Sequence, residues 1–326
     1  MNRNQLEIWS ATPTPFEANL SIDRSSVRRL VAHHLRLGVT GLMLGGTCGE
    51  GPWMTLDDLV ELTNVTKAES GDRLCIAVQV SDNSVRRVLE RIHKVADNGA
   101  EIAVVSPPFL MMNASPERLS SFYRNIIQIS PIPVGIYDRG SVVSYSMNDE
   151  TLEELLAEPN LVLVKDISKF HPDRAAMIRR IRARKPGFKI FCGDEFGCIA
   201  PIQHAYNGLL LGRAVFNATI ARAIMALAKS GDLEGAQALQ IRMNQLMYRI
   251  YGGEKISCWL SGLKYLMVKM GIFATTQGHL EYPLTNDCRE AIDEIIVGPD
   301  ESGYRADLFG MGNPRNSADN ESNAAG

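Results

Sequence analysis

The chain of 326 residues has little that would mark a secreted, membrane-spanning or nucleic-acid-binding protein. Lysine and arginine are dispersed rather than clustered, and the formal net charge is -3, so no basic surface for nucleic acid is expected. No apolar run approaches the ~20 residues that cross a bilayer, and residues 1–16 lack the apolar core of a secretion signal. We therefore expect a cytoplasmic protein with no nucleic-acid and no membrane partner.

Cysteine and histidine are also sparse, with six of each. The cysteines are far apart and form no CxxC pair, which favours free thiols over a disulfide framework or a zinc site. The one adjacent histidine pair, His33 and His34, would point to different sides of a helix. The sequence therefore predicts no metal site.

A large hydrophobic content of 45% is arranged as short branched apolar runs that alternate with longer stretches of helical period. Several runs are apolar throughout, which is typical of parallel strands covered on both faces. Eight such runs predict an α/β protein with a (β/α)8 TIM barrel. They span residues 8–11, 41–45, 74–80, 101–106, 133–138, 161–166, 188–193 and 208–212.

Stretches of helical period lie between and after these strands. Outer barrel helices are predicted at residues 25–37, 56–68, 84–98, 116–128 and 149–157. Beyond residue 212 the pattern is helical only, at 218–229, 233–251, 256–270 and 287–296. We therefore predict a barrel over residues 1–215, a C-terminal helical appendage packed on it over 216–300, and a disordered tail over 301–326.

The active site of such a barrel is built at the carboxyl ends of its strands, so polar residues that end apolar strands are the candidates. Lys165 directly follows the LVLV run of the sixth strand. An apolar surrounding disfavours the ammonium form and favours a neutral, nucleophilic amine, which can condense with a ketone. The other interpretation is a structural lysine that reaches solvent or pairs with Asp166.

Tyr137 ends the fifth strand, where its phenol can transfer protons at the barrel mouth; a core aromatic is the alternative. The second strand ends in a GGTCGE turn, in which Gly46, Thr47 and Cys48 offer close backbone approach, N–H groups and a hydroxyl to a carboxylate. Such a turn can also be no more than a turn. Glu50, inside it, is predicted to brace it by hydrogen bonds.

Four further residues complete the candidates. Arg139 can hold a second anionic group of a substrate or lie on the surface. Asp194 and Glu195 follow the seventh strand, where we favour helix caps over a contact to a substrate hydroxyl, although Asp194 is retained as a candidate ligand. Leu210, on the eighth strand, is predicted to contact the substrate.

In order and spacing, these motifs resemble the dihydrodipicolinate synthase and N-acetylneuraminate lyase superfamily over roughly residues 8–295. The resemblance rests on five features: TPF at 14–16, the turn at 45–50 that resembles the family's GTTGE, Tyr137, Lys165, and Gly-Asp at 193–194. It implies a Schiff base on Lys165, acid/base catalysis by Tyr137, and a keto-acid carboxylate held by Thr47 and the Cys48 N–H. It also implies a homotetramer, usually a dimer of dimers, with no metal or organic cofactor.

The departures from the family bear on the substrate. Members that make dihydrodipicolinate usually carry YNVPSRTG after the fifth strand, whereas this chain has YDRGSV and a displaced arginine. They also tend to have a tyrosine pair after the fourth strand, where this chain has Phe109. The PPFL segment, the Tyr-x-Arg turn, Lys165-Asp166 and the AVFN segment at 214–217 are more similar to the branch that dehydrates deoxy-keto sugar acids such as 5-dehydro-4-deoxyglucarate.

Three hypotheses remain open at the sequence level. The first is a lyase that dehydrates a deoxy-keto sugar acid or cleaves pyruvate from an aldol. The second is dihydrodipicolinate synthase itself, with another cation in place of the displaced arginine. The third is a barrel that binds a keto acid without catalysis, which the missing ring hydroxyl at Phe109 and the unusual Cys48 favour.

Overall fold

The computed structural model describes residues 6–140, 147–168, 170–299 and 303–310. Eight parallel strands form a closed barrel in chain order, and the last strand pairs with the first. The predicted (β/α)8 TIM barrel is therefore confirmed. The strands are β1 Glu7–Ser10, β2 Gly41–Leu44, β3 Cys75–Gln79, β4 Ile102–Val105, β5 Val134–Asp138, β6 Leu161–Asp166, β7 Lys189–Cys192 and β8 Gly208–Leu211.

A helix follows each strand and covers the outside of the barrel. These helices are α1 Arg24–Arg36, α2 Leu56–Ser70, α3 Val85–Ala96, α4 Pro116–Ile129, α5 Asp149–Leu156, α6 Pro172–Arg184, α7 Ile199–Gln203 and α8 Ala214–Ser230. Side-chain caps fix most of their starts, as in α2, where Thr55 and Asp58 form a reciprocal capping box. Helix α8 begins four residues before the predicted start and packs on β1 and β8.

The C-terminal part of the described chain is helical, as the periodicity predicts. It comprises α9 Leu233–Ile250, α10 Trp259–Lys269, α11 Asn286–Val297 and α12 Tyr304–Phe309. No helix in the described residues is both long and apolar enough to span a bilayer.

The predicted disordered tail is wrong at α12, which lies inside it. Tyr304 and Leu308 are four residues apart and both are buried, so one face of this short helix packs against α8. Arg242 stacks on the Tyr304 ring and pairs with Asp307 at 2.7 Å. The rest of the predicted tail, residues 301–302 and 311–326, lies outside the described residues.

The barrel interior is filled by packed side chains. Trp9 and Phe191 pack with ring centroids 5.2 Å apart. They share this interior with aliphatic residues from the neighbouring strands, namely Met43, Ala77, Val104, Leu163 and Leu210. This filled layer forms the floor on which the site is built.

Candidate active site

Lys165 and Tyr137 lie side by side at the carboxyl ends of β6 and β5. The strands pair in a register that places Tyr137 opposite Lys165, and each residue is only 6% exposed. The Lys165 amine lies 4.3 Å from the centre of the Tyr137 ring. Asp166 is occupied elsewhere, because it accepts hydrogen bonds from Ser168 and Tyr206. The alternative in which Asp166 pairs with Lys165 is therefore wrong.

A cavity of about 540 Å³ opens above this pair. Six of the predicted site residues line it together: Thr47, Cys48, Tyr137, Arg139, Lys165 and Asp194. Gly46 is next to the cavity lining, since a Cβ placed on it would be 3.9 Å from that of the lining residue Ala11. Leu210 is fully buried in the barrel interior, and the described lining does not include it. Its prediction as a substrate contact is not supported by this position, because its side chain belongs to the packed floor.

The GGTCGE turn is tightly closed, as its glycines allow. Gly45 has a left-handed backbone with φ +62°, and a Cβ on Gly51 would lie 1.9 Å from the Gly45 carbonyl oxygen. The Thr14 hydroxyl donates a 2.7 Å hydrogen bond to the Gly49 carbonyl. The TPF segment therefore serves to hold the turn that presents Thr47 and Cys48 to the cavity.

The Cys48 thiol faces the cavity but is not an activated nucleophile. Burial, together with the nearby Glu195 carboxylate, raises its pKa to about 12. At neutral pH the sulfur therefore stays protonated, and the turn offers its backbone rather than a thiolate.

Glu50 ties the turn to the C-terminal helical region. It is fully buried and forms an ion pair with Lys264 of α10. It also accepts backbone N–H groups of His279, at 2.6 Å, and Leu280, at 3.2 Å. The prediction that Glu50 braces its own turn is thus too narrow, because its partners lie more than 200 residues further along the chain.

Glu50→Gln is expected to lower the free energy of unfolding by ~3 kcal/mol, because it leaves the Lys264 ammonium buried without its counter-charge. Burial already lowers the pKa of Lys264, which limits the loss, since the amine can deprotonate. Urea denaturation followed by circular dichroism measures the change. Glu61→Gln, which breaks the exposed pair with Arg24, is the control and should cost less than ~1 kcal/mol. Equal effects for both variants would show that the buried pair adds nothing.

The acidic residues after β7 do not cap the next helix, contrary to the favoured interpretation. Helix α7 begins after Cys198, which makes no side-chain cap. Asp194 instead accepts the Phe196 N–H at 2.9 Å inside the loop. Glu195 is turned into the barrel mouth, where burial raises its pKa although Arg213 opposes this shift.

Arg213 also lines the cavity, although it was not among the residues predicted from the sequence. It forms an ion pair with Glu195, and its guanidinium lies between the rings of Phe196 and Tyr251, 4.5 and 4.7 Å from their centres. A signal existed in the sequence, because Arg213 follows the apolar GLLLG run of the eighth strand.

Ile256 and Trp259, from the helical appendage, also line the cavity. Neither residue follows a strand, so the search for polar residues at strand ends could not have predicted them.

A second chamber of about 360 Å³ adjoins the first, because Thr47 and Arg139 line both. Its other walls are Pro52, Trp53, Gln79 and Phe109. Gln79, at the end of β3, is 5% exposed. In the described part of the chain, neither its side-chain oxygen nor the Arg139 Nε has a hydrogen-bond partner. The chamber therefore combines two aromatic rings with an unsatisfied amide and a guanidinium.

Comparison with known proteins agrees with this fold. The model of the dihydrodipicolinate synthetase family matches residues 4–297. An N-acetylneuraminate lyase from Rhizobium meliloti is 30% identical over 241 residues, covering 74% of this chain and 78% of that enzyme. A 4-hydroxy-tetrahydrodipicolinate synthase from an Exiguobacterium species is 28% identical over 238 residues, covering 72% and 79%.

Solved structures agree with the barrel architecture. Dihydrodipicolinate synthase from Bacteroides thetaiotaomicron superposes with a TM-score of 0.78 at 22% identity, covering 90% of this chain and 98% of that one. At this identity the likeness bears on the fold alone. The match over residues 4–297, by contrast, spans the barrel and most of the helical appendage. This chain is therefore a member of the dihydrodipicolinate synthetase family.

Proposed function

We propose that this protein is a class I lyase that binds a 2-keto acid as an imine on Lys165. The observation that carries the proposal is a buried amine held 4.3 Å from a tyrosine ring at the floor of a cavity. The amine and the phenol both border the space that a substrate would occupy, and the phenol is near enough to exchange protons with bound substrate.

The lining residues support an ordered set of roles. The Lys165 amine attacks the C2 carbonyl, and water leaves as the imine forms. Thr47 and the Cys48 N–H hold the C1 carboxylate, as the resemblance to the family implies. The protonated imine then accepts the electron pair of a bond broken at the adjacent carbon, while Tyr137 transfers the proton that the step requires. This chemistry needs no metal or organic cofactor.

The second chamber supports an extended substrate, such as a deoxy-keto sugar acid of the 5-dehydro-4-deoxyglucarate type. Pyruvate would occupy only the space next to Lys165. A longer chain would pass Thr47 and enter the chamber, where Arg139 can pair with a second carboxylate and Gln79 can accept a hydroxyl hydrogen. Trp53 and Phe109 would cover the apolar face of the carbon chain.

Two other activities stay in competition, each with an observation behind it. Relatives named as 4-hydroxy-tetrahydrodipicolinate synthase and N-acetylneuraminate lyase make condensation of pyruvate with aspartate semialdehyde, or cleavage of pyruvate from an aldol, the alternatives. A keto-acid-binding barrel without catalysis is the remaining candidate. All of these candidates use the same pocket, so they are distinguished by which compounds the protein converts.

Borohydride reduction in the presence of pyruvate is expected to add the mass of the reduced adduct to Lys165, located by peptide mass spectrometry. A panel of deoxy-keto sugar acids, aldol substrates and aspartate semialdehyde with pyruvate then identifies the reaction. We expect dehydration of the sugar acids to be fastest. An adduct without turnover of any compound points to the binding barrel, and an unmodified Lys165 refutes the imine.

We also propose assembly of four chains, as the family resemblance implies. Phe109, Leu110 and Met112 are exposed large apolar side chains in a single loop, and an interface between copies would cover them. The mass measured by light scattering checks this proposal.

A further inference from the structure

Two buried carboxylates directly follow the two proposed catalytic residues. Asp138 succeeds Tyr137 at the end of β5, and Asp166 succeeds Lys165 at the end of β6, with each pair in register across the two strands. Because side chains alternate along a strand, residues next to those that face the cavity face the helix layer. Both aspartates are 2% exposed there.

A single arginine from α6 joins the two aspartates. Arg174 lies 3.1 Å from the Asp138 carboxylate and 3.7 Å from that of Asp166, measured from its Nη1. Its Nε lies 2.8 Å from Asp149, at the start of α5. Arg174 is 3% exposed. One guanidinium therefore holds the ends of both strands from the side opposite the cavity.

The remaining contacts of these carboxylates are with neutral donors. Asp138 accepts the Gly140 N–H at 3.0 Å. Asp166 accepts the Ser168 N–H at 2.8 Å and the Tyr206 hydroxyl at 2.6 Å. Burial raises the pKa of Asp138, which Arg174 counteracts. Without Arg174, the Asp138 and Asp166 carboxylates would repel each other across neighbouring strands, whose usual spacing is about 4.8 Å. No other cation among the described residues lies close to both carboxylates.

We propose that Arg174 is a positioning residue that holds the ends of β5 and β6 together and thereby sets the distance between Lys165 and Tyr137. The proposal rests on the function proposed above, since it assigns a purpose to that distance. Arg174 contacts neither the cavity nor the reacting atoms. Arg174 acts on the reaction through the backbone, because each aspartate that it holds is the next residue after Tyr137 or Lys165. Misplacement of a catalytic group by ~1 Å can lower the rate by ~100-fold.

The test compares three variants of the full chain: Arg174→Met, Arg174→Lys, and Arg174→Met combined with Asp138→Asn and Asp166→Asn. Exchange of the pyruvate methyl protons with deuterated water, followed by NMR, reports formation of the imine and its enamine. Arg180→Met is the matched control, because Arg180 lies on the same helix and forms an exposed pair with Glu153. Near-ultraviolet circular dichroism gives the folded fraction of each variant.

Arg174→Met is expected to lower kcat for exchange by ~100-fold per folded molecule while KM for pyruvate changes less than ~3-fold. Arg174→Lys keeps the positive charge but loses the planar guanidinium with its several donors, so kcat should fall only ~10-fold. The triple variant removes the repulsion and should return to within ~10-fold of the parent chain. Arg180→Met should not differ from the parent.

A folded Arg174→Met chain that exchanges at the parental rate overturns the proposal. If that variant does not fold, the triple variant tests the proposal instead. A folded triple variant with less than ~1% of the parental exchange rate would overturn it, because neutral side chains at positions 138 and 166 should no longer need a compensating cation. Should the parent chain itself form no imine, the proposed function has failed. The positioning claim is then judged on a crystal structure of Arg174→Met, in which an unchanged distance of 4.3 Å between Lys165 Nζ and the Tyr137 ring overturns it.

Discussion

Lys165→Met is expected to abolish turnover, with kcat at least ~10⁴-fold below that of the parent chain, because removal of a covalent nucleophile leaves only binding and electrostatic effects. Methionine keeps much of the volume and removes the amine, so the cavity floor should stay intact. Steady-state kinetics on the substrate found in the panel measures the loss. Borohydride with pyruvate should no longer add mass to the protein.

Lys189→Met is the matched control for this substitution. Lys189 begins β7, at the opposite end of the barrel, where it pairs with Glu7 at 2.7 Å. Its replacement should leave kcat within ~2-fold and the labelling of Lys165 unchanged, because this partly exposed pair lies at the end of the barrel away from the proposed site. Labelling that persists in Lys165→Met, or disappears in Lys189→Met, would move the imine to another lysine.

The candidate residues that the structure brings to the cavity are those whose locations follow from strand position. Lys165 and Tyr137 end apolar runs, and a parallel barrel brings the carboxyl ends of its strands to one face. Their adjacency required only the order of the strands. The turn at residues 45–50 was recognisable for the same reason, since its glycines follow a strand.

The missed residues are held by contacts that no local pattern specifies. Lys264 reaches Glu50 across 214 positions of sequence, and Trp259 enters the cavity from the helical appendage. Arg174 meets two aspartates only because the register of β5 and β6 aligns them. Helix α12 was not predicted because the Gly, Asn and Ser residues that surround it dominate the composition of residues 303–326. In each case the position of the residue depends on tertiary contacts. Composition and periodicity describe only the neighbouring sequence and therefore could not predict these contacts.

Tyr137→Phe is expected to lower kcat by ~10²–10³-fold while KM changes less than ~3-fold, because the loss of one general acid/base typically costs this much. Phenylalanine retains the ring that packs against the Lys165 amine, so the cavity and the amine should keep their places. Borohydride should still add pyruvate to Lys165, though more slowly. The variant therefore separates formation of the imine from the proton transfers that follow it.

Tyr282→Phe controls for the removal of a hydroxyl, since this half-exposed tyrosine packs edge-on against Trp259, 5.4 Å away, instead of lining the cavity. Its kcat should stay within ~2-fold of the parent value. Parental kcat in Tyr137→Phe would assign the proton transfers to another group, and Glu195 is then a candidate, since it lines the same cavity as Lys165. A complete loss of labelling would instead mean that the phenol is required to form the imine, because expulsion of water from the first adduct also consumes a proton.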